Sequence, residues 1–437
     1  MKFKNSLISK IFLLITTLII LPSLFEISVI KADTIRMMQY NLMYYTTSVP
    51  SDCDASGDYL NNKDSALKAI VHYVQPDVLC VNEIGSQSSY VSRILNNALN
   101  TDGINYFANC PLTNFSGGSL ANMLFYDSRK LAFDSYFYIT TSYRDINAYR
   151  LYYKSEELAM GDTVFVTFLI AHLKAGSSSS DASARYTQVE KLMNKLTQLG
   201  RADNYILSGD FNLYGADEAS YQYLIHYPNS LYQFYDPIDQ EGAWNNNYNY
   251  RYIHTQSTHT YSEEGECFAS GGMDDRFDFI LVSPYIYYGS YGLQAIPNSY
   301  KALGQDGNRF NGTIISPSNN SIPVEIGNAL YDLSDHLPVI MDMSVDATLG
   351  IENNVRDFSF SVVNPIQNNL SIYVNLIQNE IFTFDIYSVE GKLLESFQKM
   401  LSAGNNHIEH AFRFPSSFYL LKITDSHHHS ITKKLIK

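Results

Sequence analysis

The sequence Ser208-Gly209-Asp210-Phe211-Asn212 directly follows the apolar run Tyr205-Ile206-Leu207. This pattern predicts a short buried strand that ends in a turn of small residues. A carboxylate and a carboxamide two positions apart leave a strand on the same side, and their oxygens suit a hard divalent cation. Because the pentapeptide is also common turn chemistry, its meaning depends on what the rest of the chain places beside it.

Polar side chains of the same kinds occur at the ends of other apolar strands. They are Asn41, Glu83, His172 and the triplet Ser334-Asp335-His336, while Asp278 begins a further strand. Each one alone also has a structural explanation as a hydrogen-bond partner. Several acids buried together at one sheet edge are costly unless a cation lies among them. Their recurrence therefore predicts a single polar site.

Strand and helix patterns alternate along the first three quarters of the chain. Predicted strands include 34–42, 77–83, 122–126, 163–171, 279–282 and 337–341, and predicted helices include 67–74, 90–98 and 189–199. This order favours sheets flanked by helices in one large domain. The segments 244–261 and 298–320 are rich in Asn, Tyr, Ser and Gly and are predicted to be surface loops.

Residues 1–32 have the pattern of a secretory signal peptide. Lys2, Lys4 and Lys10 precede the apolar run 11–21, Pro22 breaks that run, and Ala32 is a small residue at the cleavage position. A membrane anchor is the alternative, but the run is short for a membrane span. No other stretch is apolar enough to cross a bilayer, so we expect no transmembrane segment after signal removal.

The formal net charge of −14 excludes one mode of polyanion binding. Residues from Ile351 onward contain eight basic and eight acidic side chains, so the acidic excess lies in the preceding region. Such a surface does not hold nucleic acid by basic patches alone. If the substrate is a polyanion, metal ions must supply much of the charge screening.

The four cysteines carry little functional information. They are Cys53, Cys80, Cys110 and Cys267, and an exported chain can pair some of them. Cys80 lies within an apolar strand, where a free buried thiol is expected. The absence of a Cys-x-x-Cys spacing argues against a structural zinc site.

Taken in order, six motifs resemble those of the endonuclease/exonuclease/phosphatase superfamily, which has the deoxyribonuclease I-like fold. They are Tyr40-Asn41, Asn82-Glu83, Ala171-His172-Leu173-Lys174, Ser208 to Asn212, Arg276-Phe277-Asp278 and Ser334-Asp335-His336. The resemblance covers residues 34–345 and places a catalytic domain at 33–350. It implies a four-layered α/β/β/α sandwich and divalent-metal-dependent hydrolysis of phosphate esters.

The resemblance also implies a role for each metal-site residue. Glu83 corresponds to the principal Mg²⁺ ligand, with Mn²⁺ or Ca²⁺ as alternative ions, and Asn41 holds metal or phosphate beside it. Asp335 either ligates metal or orients a histidine. Carboxylate oxygens suit Mg²⁺, which usually keeps several waters and leaves room for a substrate oxygen.

The same resemblance assigns the proton-transfer and substrate residues. Asp210 and Asn212 position the attacking water and the phosphate, and His336 is the general base or a charge-stabilising imidazole. His172 is the candidate general acid, with Asp278 as its expected partner. Arg144 is expected to approach the phosphate. Asn122 stands where the deoxyribonucleases have a DNA-contacting Tyr, which puts duplex DNA recognition in doubt.

Residues 351–437 form a separate module of alternating strands. Predicted strands are 358–362, 370–374, 382–387, 393–397 and 418–423, which indicate a small all-β sandwich. Asn364-Pro365, Gly391-Lys392, Phe418-Tyr419-Leu420-Leu421 and the terminal Lys433 to Lys437 resemble the sorting domain of the type IX secretion system. A carbohydrate- or protein-binding sandwich is the alternative.

Three functions follow from these features. The first is a secreted or cell-surface nuclease that hydrolyses nucleic acid with Mg²⁺. The second is a sphingomyelinase-like phospholipid phosphodiesterase or a phosphatase, and its lipid-binding version should carry an exposed apolar hairpin, for which residues 285–293 are the candidate. The third is a non-enzymatic surface protein, which would have no need to keep both histidines and the acidic residues together.

Overall fold

The structure is a computed structural model. It describes residues 33–47, 49, 59–154, 163–201, 203–262, 267–345, 358–363, 366, 368–376, 379–388, 391–426 and 430–437. The predicted signal peptide and the turn at Asn364-Pro365 lie outside these residues. Within the described part of the chain, no helix has the length and apolar character that a membrane span requires.

The large domain contains twelve strands among its described residues. In chain order they are β1 (Asp33–Tyr45), β2 (Val78–Gly85), β3 (Phe107–Asn109), β4 (Leu120–Asp127), β5 (Leu131–Ile139), β6 (Ile146–Tyr153), β7 (Phe165–His172), β8 (Tyr205–Asp210), β9 (Asp278–Val282), β10 (Leu293–Ala295), β11 (Lys301–Ala302) and β12 (Val339–Val345). One sheet has the order β10-β12-β1-β2-β4-β3, with β11 also paired to β12. The other has the order β5-β6-β7-β8-β9.

Helices cover the outer faces of both sheets. They are α1 (Tyr59–Val74), α2 (Ser88–Ile94), α3 (Ser179–Leu199), α4 (Ala219–Ile225), α5 (Pro284–Tyr288) and α6 (Val324–Leu333), and a π-helical turn, Leu95–Leu99, continues α2. One buried cluster joins the inner faces of the two sheets to α1 and α6, and a second joins the outer face of β7, β8 and β9 to α3 and α4. The predicted four-layered α/β/β/α sandwich is therefore confirmed.

Helix α3 illustrates how local sequence fixes these elements. Ser178 caps its first turn reciprocally with Asp181, and Gly200 ends it with a left-handed backbone at φ 62°. Its buried residues recur at helical spacing and include Val189, Leu192 and Leu196. The helix consequently packs one apolar stripe onto the second sheet.

The C-terminal domain is a β-sandwich of seven described strands. They are β13 (Phe358–Val362), β14 (Asn369–Leu376), β15 (Glu380–Ser388), β16 (Leu393–Leu401), β17 (Gly404–Ala411), β18 (Phe418–Thr424) and β19 (Ser430–Ile436). They form the sheets β13-β14-β17 and β16-β15-β18-β19 around their own apolar core. The five strands predicted from the sequence are present, and β17 and β19 were not predicted.

Three predictions about loops were wrong. Segment 244–261 is not a simple surface loop, because Trp244, His254 and Thr258 are all fully buried within it. Segment 298–320 is not one either, since it contains β11 and the buried side chains of Arg309 and Ile314. Residues 285–293 do not form an exposed apolar hairpin, since Tyr285 and Ile286 are buried on α5. The loop composition reflected a lack of regular structure rather than exposure to solvent.

The cysteines divide into two classes. Cys80 and Cys110 are buried free thiols, as expected for Cys80. Cys267 is disulfide-bonded, and Cys53 lies outside the described residues. Burial raises the pKa of the Cys80 thiol well above its usual range, so this thiol is not a nucleophile at neutral pH.

Candidate active site

Two parallel strand pairs bring the predicted polar residues to one rim of the stacked sheets. In the first sheet, β1 and β2 run parallel and pair Asn41 with Asn82, next to Glu83. In the second, β7 and β8 run parallel and pair His172 with Asp210. Parallel strands end at the same edge, and side-chain contacts between the sheets then join these residues into one cluster.

Asn41 is the residue that connects the two sheets at this rim. Its side chain is fully buried, and its Nδ2 donates to Glu83 Oε1 at 3.1 Å and to Asp210 Oδ2 at 3.0 Å. Its Oδ1 accepts from the backbone N–H of Met43 at 2.9 Å. With both ends of the amide engaged, Asn41 fixes the separation of the two carboxylates.

Glu83 adopts a strained backbone conformation, with φ at 62°. A left-handed conformation is unfavourable for a residue with a side chain and is concentrated at functional sites. The register of β2 with β4 shifts between Val81 and Ile84, around this residue. Glu83 Oε2 accepts from the backbone N–H of Tyr44 at 3.0 Å. The local irregularity aims the carboxylate at the rim instead of along the sheet.

Glu83, His172 and Asp210 form a group that could hold a metal ion, with one ligand atom from each lying within 4.8 Å of the others. His172 Nε2 is 3.7 Å from Glu83 Oε1 and 3.5 Å from Asp210 Oδ2. Burial, with smaller contributions from the charges of Asp278 and Glu83, raises the pKa of Asp210 to about 7. Burial also holds the pKa of His172 well below its usual value, so its imidazole is neutral.

Asp278 is paired with His336 and not with His172, which corrects the expected assignment. His336 Nδ1 lies 2.7 Å from Asp278 Oδ2, and both side chains are buried. Burial by itself lowers the pKa of His336, but the carboxylates of Asp278 and Asp210 outweigh it and raise the pKa well above the usual value. Asp278 takes this position because β9 pairs antiparallel with β8, which places it directly beside Asp210.

Asp335 lies next to the cluster but faces the loop that precedes β9. Its Oδ2 accepts from Gln256 Nε2 at 3.2 Å and from the Ala269 N–H at 2.9 Å, and its Oδ1 is 3.9 Å from His336 Nε2. Asp335 was expected either to orient a histidine or to ligate metal. Asp278, not Asp335, makes the close contact that orients His336. The second role, metal ligation, remains a prediction.

Gln256 is a site residue that the sequence did not reveal. Its Nε2 lies 2.7 Å from His336 Nε2, opposite the nitrogen that contacts Asp278. An isolated glutamine in an irregular segment carries no periodicity and belongs to no motif. The Asn/Tyr-rich composition around it even predicted a surface loop.

Gly209 and Asn212 determine the backbone at the end of β8. A side chain at Gly209, whose φ is 146°, would collide with the carbonyl oxygen of Ala171 on the neighbouring strand. Asn212 has φ at 52°, and its backbone N–H donates to Asp210 Oδ1 at 3.0 Å. The turn thus holds the Asp210 carboxylate in place and puts Asn212 beside it.

The two expected phosphate or substrate contacts differ in position. Arg144 Nη1 lies 3.5 Å from the carbonyl oxygen of His172 and 3.4 Å from that of Leu173, so the guanidinium is at the rim. Asn122 is 1% exposed, and its Nδ2 donates to Asn147 Oδ1 at 3.0 Å and to the Asp145 carbonyl at 2.9 Å. Asn122 therefore lies in the protein interior, where its hydrogen bonds support the site, and its side chain is not accessible to a substrate.

A family model described as the endonuclease/exonuclease/phosphatase family matches residues 38–336. The chain belongs to this family. Its enzymes hydrolyse phosphoester bonds and generally use divalent metal ions. A second model, described as a secretion system C-terminal sorting domain, matches residues 364–437. This domain directs the protein through type IX secretion to the cell surface or the extracellular space.

Three solved structures are similar to the chain at low sequence identity. A functionally unknown conserved protein from Enterococcus faecalis is 15% identical, with a TM-score of 0.43 and coverage of 71% of this chain and 100% of that one. The human Nocturnin catalytic domain is 15% identical, with a TM-score of 0.42 and coverage of 72% and 98%. An endonuclease/exonuclease/phosphatase from Beutenbergia cavernae is 14% identical, with a TM-score of 0.41 and coverage of 92% and 100%. A search of the curated proteins finds no match.

Proposed function

We propose that this protein is a secreted, divalent-metal-dependent phosphodiesterase that cleaves extracellular nucleic acid. One observation carries the proposal: the His336–Asp278 pair and the group of Glu83, His172 and Asp210 share one rim. His336 Nε2 lies only 3.7 Å from Asp210 Oδ2, and this contact joins the histidine–aspartate pair to the group that could hold a metal ion. A general base, a neutral imidazole and a candidate cation site side by side are what hydrolysis of a phosphodiester needs.

The residues at the rim fit a hard divalent cation. Glu83 offers a carboxylate, and the buried Oδ1 atoms of Asp278 and Asp335 have no hydrogen-bond partner among the described residues. Buried carboxylate oxygens without donors are costly in the absence of a positive charge. Of the group that could hold a metal ion, Glu83 would bind it, and His172 would stay free for proton transfer. Asn41 Oδ1 would be a second ligand through the lone pair that its bond to the Met43 N–H leaves free, with Asp335 beside it. Oxygen donors of this kind suit Mg²⁺ best, and Mn²⁺ or Ca²⁺ are alternatives. When bound, such an ion neutralises charge on the phosphoryl oxygens.

The histidines divide the proton transfers between them. Asp278 accepts the Nδ1–H of His336, which fixes the ring and leaves Nε2 3.7 Å from Asp210 Oδ2. Because the pKa of this ring is raised, its protonated form would stabilise negative charge on the phosphate, and its deprotonated form would take a proton from an attacking water. A neutral His172 can donate one N–H to a phosphoryl or leaving oxygen. Asn212 and Arg144 stand at positions from which they can hold the phosphate. Positioning and electrostatics then supply most of the acceleration.

The deciding experiment uses the purified mature protein and four substrates. Plasmid DNA, RNA, sphingomyelin vesicles and bis(p-nitrophenyl) phosphate are each incubated with Mg²⁺ and then with EDTA. We expect cleavage of nucleic acid that EDTA abolishes and that His336→Ala reduces by about 100-fold or more. Turnover of sphingomyelin alone would instead assign the lipid phosphodiesterase function. No turnover by a folded protein would indicate a binding role.

A further inference from the structure

Two exposed aromatic side chains, Phe115 and Tyr138, stack on each other, and a third, Tyr143, lies on the adjoining loop, where the Thr141 N–H donates to Ser116 Oγ. We name Phe115, Tyr138 and Tyr143 the aromatic shelf. Their exposed fractions are 59%, 36% and 40%. The rings of Phe115 and Tyr138 are stacked, with centroids 4.0 Å apart and planes at 17°. Large exposed aromatic rings cost free energy in water, and a group of them commonly marks a binding surface.

A buried carboxylate holds the loop that carries Phe115 in place. Asp145 is 3% exposed and accepts the backbone N–H groups of Phe115 at 2.6 Å and Ser116 at 2.8 Å. The hydroxyl of Ser116 also contacts Asp145 and accepts from the N–H of Thr141 at 3.1 Å. Because the loop is fixed before any ligand arrives, a partner pays little ordering entropy on binding.

Arg144 links the shelf to the catalytic rim. It lies between Tyr143 and Asp145 in the sequence, and its guanidinium reaches the carbonyl oxygens of His172 and Leu173. Within the described part of the chain, no carboxylate lies within ion-pair distance of this guanidinium. A cation without an acidic partner, in a protein of net charge −14, is well suited to receive a phosphate.

We propose that the aromatic shelf is a base-stacking subsite that binds an unpaired nucleobase beside the phosphate at Arg144, so that the preferred substrate is single-stranded nucleic acid. This inference rests on the proposed function and specifies its substrate. In a duplex the faces of the bases are stacked within the helix, and only an unpaired base can offer its face to Phe115. The acidic surface also disfavours a duplex with its dense phosphates.

A phospholipid is the competing occupant. An acyl chain requires a continuous apolar surface, but Phe115 is flanked by Asn114 and Ser116, and Tyr143 by Ser142 and Arg144. Flat rings beside a guanidinium instead match the alternation of base and phosphate along a nucleic acid strand. The shelf therefore fits a nucleobase better than an acyl chain, and hydrolysis of sphingomyelin vesicles distinguishes the two.

The test compares Phe115→Ala and Tyr138→Ala with the wild-type protein and with Tyr73→Ala. Tyr73 is 44% exposed on α1, away from the rim, and serves as the matched control. Binding of a fluorescein-labelled single-stranded 12-mer is measured by anisotropy in EDTA, where no cleavage is expected. Hydrolysis of the same strand, of its duplex, of sphingomyelin vesicles and of bis(p-nitrophenyl) phosphate is measured with Mg²⁺.

We expect both shelf variants to lose at least about fivefold in affinity and in kcat/KM for the single strand, the scale of one stacked base. Tyr138→Phe should retain both values, and bis(p-nitrophenyl) phosphate hydrolysis should be unchanged in every variant. Equal losses on strand and duplex, no loss on the strand, or a loss confined to sphingomyelin would each overturn the subsite. Failure of the proposed function would appear separately, as absent hydrolysis of all substrates by the wild-type protein.

Discussion

The buried side chains of His336 and Asp278 meet at 2.7 Å between Nδ1 and Oδ2. The contact joins residues 58 positions apart, one three residues before β12 and the other at the start of β9. A carboxylate at Nδ1 fixes the tautomer of the imidazole and stabilises its protonated form. The chemistry expected of His336 therefore depends on Asp278.

Asp278→Asn tests this dependence. The amide keeps the shape but removes the charge, so we expect kcat/KM to fall by about 100-fold or more. The carboxylates raise the pKa of His336, and loss of one should lower it. The limb of the pH–rate profile that reports His336 should therefore move to lower pH. Profiles on bis(p-nitrophenyl) phosphate measure both effects, and an unshifted limb would contradict the assigned pairing.

The positions of most site residues could be predicted from the sequence because they follow local signals. Asn41, Glu83, His172 and Asp210 each follow an apolar strand, and parallel pairing then brings such strand ends to one edge. The same reasoning gave the sheets and the helices that cover them, since periodicity and caps act within a few residues.

The partners of these residues could not be predicted in the same way. Asp278 contacts His336 and not His172 because β9 pairs antiparallel with β8. No local sequence pattern encodes this pairing. Gln256 reaches His336 from an irregular segment whose Thr255 oxygen accepts the N–H of Leu337 at 2.7 Å. Long-range loop packing of this kind leaves no periodic trace in the sequence.

The metal site predicts a stabilising effect that is independent of turnover. An ion that binds only the folded protein raises its free energy of unfolding with concentration. We expect Mg²⁺ to raise the thermal midpoint of the wild-type protein and to have much less effect on Glu83→Gln, which loses a charged ligand. Asp342→Asn, in a surface pair with Arg36, is the control and should respond as the wild type does. An equal rise in all three proteins would show that the ion binds elsewhere.

Lys63 predicts how stability changes with pH. Its ammonium group is buried beneath the rim and donates to the carbonyl oxygens of Leu42, at 3.0 Å, and Leu333. Burial lowers its pKa from 10.5 to about 7. Between these two values the unfolded chain binds more protons than the folded one, so the free energy of unfolding rises with pH across this window. Below the folded-state pKa of about 7, the full cost of burying the charged ammonium group is present.

Lys63→Met should remove this pH dependence. The difference in unfolding free energy between the wild-type protein and the variant is expected to shift in favour of the wild type from pH 7 to pH 9.5. The carbonyls left without a donor add a cost that is the same at every pH. Urea unfolding followed by the fluorescence of Trp244 measures the free energy of unfolding of both proteins at each pH. This buried residue is the single tryptophan and reports on the large domain. A constant difference would mean that Lys63 titrates normally.

The buried ion pair of Arg276 and Asp236 predicts a large and specific loss of stability. Arg276 is 1% exposed, and its two terminal nitrogens lie 2.7 and 3.0 Å from the Asp236 oxygens. Asp236→Asn leaves the guanidinium buried without a counter-charge, which costs about 3–5 kcal/mol. The exposed pair of Lys68 and Asp102 is the matched control, and Asp102→Asn should leave the urea midpoint nearly unchanged. Urea midpoints read from the same tryptophan compare the two, and similar losses would show that Arg276 finds another partner or water.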